Sequence, residues 1–104
     1  MSTDRSTADY IVEQASRAGE VYARKMFGEY ALYCDAKVVG LITDNTLYIK
    51  ITKDGKEFIG DNFEEGTAYD GAKTSMIISE DFVSDHDWLS ELIRRTAASL
   101  PYRK

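Results

Sequence analysis

Residues 24–52 read RKMFGEYALYCDAKVVGLITDNTLYIKIT. Three strand-like runs follow one another here, and apolar or aromatic residues occupy both parities of them. A half-buried antiparallel sheet alternates apolar with polar instead. Asp35-Ala36 and Asp44-Asn45 are the turn signals between the runs. As two-residue hairpin loops they set Tyr33 opposite Val38, Ala31 opposite Gly40, Ile42 opposite Leu47 and Val38 opposite Ile51. One face then holds Ala31, Tyr33, Val38, Gly40, Ile42, Leu47, Ile49 and Ile51. The other holds Tyr30, Leu32, Val39, Leu41, Tyr48 and Lys50, and it too is mostly apolar. A one-residue shift exchanges side chains between faces locally, but both faces stay apolar.

Outward from this core, Ala8, Ile11, Val12, Ala15 and Ala18 recur at helical spacing and end at Gly19, predicting a helix over 5–18. From Val21 the period becomes strand-like, and Gly28 interrupts the first run as a bulge or bend. Thr52 caps and Gly60 stops a short helix predicted over 53–60, which Gly55 weakens. The segment 61–73 is loop-like with a short strand near Thr67 to Tyr69, and TSMIIS is a further strand. Leu89, Leu92, Ile93, Thr96, Ala97 and Leu100 form one stripe of a long last helix that Ser84 and Asp85 start and Pro101 helps stop. Glu91 is placed to pair with Arg95 one turn on. The order is α-β-β-β-α-β(-β)-α. Helices with single apolar stripes cover one face of a small antiparallel sheet, so the class is α+β in two layers, one domain over 1–104.

The chain has 104 residues, 43% hydrophobic and 12% aromatic, enough to bury a core without metal or disulfides. Its formal net charge of -5 gives no general attraction to phosphate backbones or anionic membranes. No apolar run approaches the roughly 18 residues of a membrane span, and MSTDRSTADY has no signal-peptide pattern. The expectation is a cytoplasmic protein with no membrane partner. Direct sequence-specific DNA binding is not expected either. Arg94-Arg95, Arg103-Lys104 and Arg24-Lys25 are too few basic residues to overcome the acidic background, and no helix-turn-helix is recognisable.

Cys34, the single cysteine, cannot form an internal disulfide, and a reactive thiolate needs a positive setting that sequence does not supply. His86, flanked by Asp85 and Asp87, reads as solvated helix-start charge, because adjacent helical residues do not point the same way. Gly71-Ala72-Lys73 lacks the glycine framework of a phosphate loop. No nucleophile–base arrangement has support from spacing. Neither a catalytic set nor a cofactor or metal is therefore expected.

The segments Arg24 to Tyr33, Lys37 to Ile42, Leu47 to Lys50 and Tyr69 to Lys73 together resemble the amino-terminal domain of the TfoX/Sxy family, regulators of bacterial natural competence. The resemblance implies a two-layer α+β domain like that of the secretion-chaperone fold group, and a role in transcriptional regulation. Ala36 stands where the family usually has Gly. An Ala at positive φ costs on the order of 1 kcal/mol, so another turn type is expected there. Ala68 and Asp70 stand where prolines are common. With Arg103-Lys104 as its last residues, the chain is expected to lack the helical carboxy-terminal domain of the full-length regulators.

Two functional readings stay open. In the first, the domain is a non-enzymatic regulatory adaptor that meets a protein partner, or a second copy in a homodimer, through Tyr30, Leu32, Val39, Leu41 and Tyr48. In the second, a small-molecule or enzymatic site lies between the sheet and the 69–73 loop, with Arg24, Tyr30, Tyr48 and Lys73 as its polar groups. The 61–73 loop or the middle helix folding over the second face is the alternative to any interface there. A ligand site needs those polar groups to converge, whereas an interface leaves them spread.

Overall fold

The computed structural model describes residues 3–101. The chain runs α1 (Arg5–Gln14), a 3-10 turn (Ser16–Ala18), β1 (Val21–Met26), β2 (Glu29–Cys34), β3 (Lys37–Thr43) and β4 (Thr46–Ile49). It continues through α2 (Lys53–Ile59), a 3-10 turn (Gly60–Asn62), β5 (Glu65–Thr67), β6 (Thr74–Ile78), α3 (Glu80–Val83) and α4 (His86–Ser99). Every strand pairing is antiparallel, in the order β1-β2-β3-β4-β6-β5. The α+β class expected from the sequence is the one found.

The helices lie on one face. Ala8 and Ile11 of α1, Ile59 of α2, Val83 of α3 and Leu89, Leu92 and Ile93 of α4 share a buried cluster with Leu32, Ile42, Leu47, Ile49, Met76 and Ile78 of the sheet. Thr52 caps α2 as expected, its hydroxyl accepting from the Gly55 N–H at 3.0 Å. Gly55 is there for room: a Cβ would lie 2.8 Å from that same hydroxyl and 3.4 Å from the Thr96 hydroxyl of α4. Asp85 caps α4 through the Trp88 N–H. Leu100, extended ahead of Pro101, ends it. Glu91 makes the pair with Arg95 at 2.7 Å, and Arg95 also reaches Asp54 of α2 at 2.9 Å.

β5 lies earlier than the strand expected near Thr67 to Tyr69, and Ile51, expected opposite Val38, falls beyond the end of β4. Three further features depart from the sequence reading. The run interrupted at Gly28 is two strands, because Phe27 and Gly28 both take positive φ (51° and 83°) and close a two-residue hairpin between β1 and β2. A short α3 precedes the last helix. The third is a bulge. Tyr33 faces Val38 and Ile42 faces Leu47, as expected, but Leu32 rather than Ala31 faces Gly40, so Val39 is the extra residue. Parity changes there. Leu32 and Val39, both expected on the second face, are buried against the helices, and Tyr33 and Val38 turn to the other side with Ala31.

The turn at Asp35-Ala36 keeps the two-residue geometry, with φ of 52° and 70°, so Ala36 accepts the left-handed conformation and no other turn type replaces it. Replacing Ala36 by Gly should raise stability by up to about 1 kcal/mol. Urea unfolding reads this directly, and a destabilised variant would contradict the assigned backbone.

Candidate interaction surface

None of the described helices contributes to the second sheet face. β1 gives it Tyr22, Arg24 and Met26; β2 gives Glu29, Ala31 and Tyr33; Val38, Leu41 and Thr43 come from β3, Tyr48 from β4 and Ile77 from β6. Tyr22 and Tyr33 stack across the strands, with ring centroids 4.9 Å apart and planes 5° from parallel. Leu41, Tyr48 and Ile77 are half-buried.

The 68–73 loop accounts for part of that burial. Thr43 is nearly inaccessible, and its hydroxyl donates to the Ala68 carbonyl at 2.9 Å, which draws the loop from the β5 edge back over the sheet to β3. A buried hydroxyl requires such a partner. Tyr69 and Ala72 close the loop by a backbone hydrogen bond of 3.0 Å. Two clefts flank it, sharing Leu41, Ala68 and Tyr69. The first, about 430 Å³, opens toward the β1–β2 hairpin and is walled by Met26, Phe27, Tyr30 and Thr43. The second, about 610 Å³, lies at the other end of the loop, beside Lys50, Ile51, Lys73 and Leu100.

The hairpin tip is the most unusual part of this surface. Phe27 is fully exposed and Met26 and Tyr69 are 46% and 60% exposed around the first cleft. Phe27 also sits at positive φ in a turn position that favours Asn, Asp or Gly. It therefore contributes no burial and carries a backbone cost.

Of the five side chains expected to form one contact surface, Leu41 and Tyr48 lie together on the open face. Tyr30 reaches the first cleft from a position packed against the helix-side core, and Leu32 and Val39 lie inside that core. The four polar groups expected around a ligand do not converge. Tyr30 borders one cleft, Lys73 the other, and Arg24 and Tyr48 line neither. Phe27, Met26 and Tyr69 were missed as surface residues; a bulky aromatic directly before Gly28 was the available signal.

Cys34 is buried, with its thiol 3.8 Å from the Ala18 carbonyl. Burial, reinforced by the Asp35 charge, pushes the thiol up to about 11. It stays protonated at neutral pH, the opposite of what a reactive cysteine needs. His86 lies 3.9 Å from Asp87, whose carboxylate pairs with Arg17 at 2.8 Å. Among the described residues no group of three or more His, Cys, Asp or Glu side chains could hold a metal ion, and no helix is long and apolar enough to cross a membrane.

A protein of Spirochaeta aurantia, described as an uncharacterized 12.7 kDa protein in the trpE 5′ region, is 44% identical over 104 residues, which is all of this chain and 89% of that protein. The family model of the TfoX N-terminal domain matches residues 13–100. That span takes in all six strands, the hairpin tip and the 68–73 loop, and with it the chain belongs to the TfoX N-terminal domain family.

Proposed function

We propose that this is a competence-regulator-like adaptor, a non-enzymatic domain that influences transcription by contact with a protein partner at the open sheet face. One observation carries the reading: Phe27 is fully exposed, in a costly backbone conformation, beside an apolar cleft. A residue that adds nothing to the fold and is placed where an apolar side chain can be gripped suits a contact surface. The partner would present apolar side chains to the cleft between the hairpin tip and Tyr69. The spread of Arg24, Tyr30, Tyr48 and Lys73 over separate positions supports contact over small-molecule chemistry.

The test replaces Phe27 by Asn at the native locus. Asn accepts positive φ, so the fold should be unharmed or stabilised by about 1 kcal/mol. Transcript profiles should then match those of a deletion strain, with protein abundance equal to wild type. A wild-type profile in the variant would sink the proposal. So would sequence-selective binding of the isolated protein to duplex DNA that persists as salt rises, because direct readout would then replace the partner.

A further inference from the structure

Among the described residues, the strand order leaves β1 as a six-residue free edge, whereas the opposite edge, β5, has three residues. The phase of the β1–β2 ladder fixes what that edge offers. A two-residue hairpin makes Met26 and Glu29 a hydrogen-bonded pair, and alternation makes Arg24–Ala31 and Tyr22–Tyr33 hydrogen-bonded as well. The Asp35 N–H donating to the Glu20 carbonyl at 2.9 Å continues the same phase. The N–H and C=O groups of Val21, Ala23 and Lys25 therefore point out of the sheet.

We propose that β1 is a dimerisation strand: two copies of this chain pair it antiparallel about a two-fold axis through Ala23, joining their sheets into one. The sequence of the edge is self-complementary in that register. Ala23 meets Ala23 of the second copy, Val21 meets Lys25, and Tyr22 meets Arg24. Every outward backbone group of Val21, Ala23 and Lys25 finds a partner, and no like charges stand directly opposite. Sliding two residues toward the hairpin would set Arg24 against Arg24. Sliding the other way would leave Lys25 opposite Gly19, which lies outside the strand.

Side chains on the open face favour the same pairing. One side of the Tyr22 ring is covered by Tyr33, and the other is turned to the edge. Arg24 is exposed and has no ion pair among the described residues. In the dimer the guanidinium of each copy lies over the uncovered ring of the other, a cation–π arrangement. This proposal stands independently of the adaptor reading, which concerns the face and not the edge.

Sedimentation over a wide concentration range should give twice the chain mass for wild type. Ala23→Pro should give the mass of one chain with an unchanged circular dichroism spectrum, since proline is tolerated where an edge N–H faces outward. If that variant loses its fold, the register still has a direct reading. Oxidised Ala23→Cys should become a covalent dimer, because opposed hydrogen-bonded residues lie about 5.5 Å apart, within disulfide reach. Tyr22→Cys, facing Arg24, should not. Cys34 can remain, being buried. A wild type that is monomeric throughout overturns the proposal. A dimer that survives Ala23→Pro, or dissociates with Leu41→Lys instead, also overturns it, and in the last case moves the interface to the open face with the adaptor reading intact.

Discussion

Gly40→Ala should destabilise the domain by about 3 kcal/mol or more, an unusually large loss for one methyl group. At the bulge Val39 and Gly40 stand together against Leu32, which brings Gly40 against the neighbouring strand. A Cβ there would lie 2.1 Å from the Tyr48 carbonyl oxygen and 3.1 Å from the Ile49 Cα. Both are backbone atoms of β4, so no side-chain rotation can relieve the overlap. The strand must move, and the β3–β4 ladder with it. Urea unfolding with an unchanged m-value would measure the loss. A cost under about 1 kcal/mol would mean that the strands are not this close.

Lysine placed at Leu32 and at Leu41 should have opposite outcomes, although simple alternation puts the two residues on the same face. Leu32 has no accessible surface and shares the cluster with Leu89, Leu92 and Ile93 of α4. A lysine there has no partner for its ammonium group, and the expected cost of about 4 kcal/mol or more approaches the stability of a typical small domain. Leu41 is half-buried at the edge of both clefts, where a lysine can lay its stem on the sheet and keep its charge in water. That variant should lose about 1 kcal/mol or less. Thermal unfolding of the two proteins side by side decides it: equal losses would place both residues on one face and remove the bulge from the account.

That contrast also locates where the sequence stops being readable. Asp35-Ala36 and Asp44-Asn45 announced their hairpins because turn residues at positive φ leave a compositional trace, and the α2 cap at Thr52 and the stripe of α4 did likewise. Val39 leaves none. With apolar residues on both sides of β3, inserting one more changes no hydrophobic pattern, and Gly40 was the sole local hint. Phe27 hid the first hairpin for a related reason, since a bulky aromatic is the wrong residue for that turn. The Thr43–Ala68 hydrogen bond joins residues 25 positions apart, beyond what local spacing can reveal. An apolar second face was therefore legible, and Leu41 and Tyr48 lie on it, while its hairpin tip and loop emerged from the folded chain.

The two-residue turns have a consequence for how the family's sequences can diverge. β1 to β4 are joined by the shortest connections a hairpin allows, so any added residue there must shift register or distort a ladder. The link from β4 to its next neighbour in the sheet, β6, instead runs through α2 and β5. Closure entropy rises only logarithmically with loop length, about 0.6 kcal/mol for each doubling. Insertions in the loop that follows α2, ahead of Glu65, are therefore cheap, and length variation can accumulate there while the meander carrying Phe27 and the β1 edge stays fixed in size.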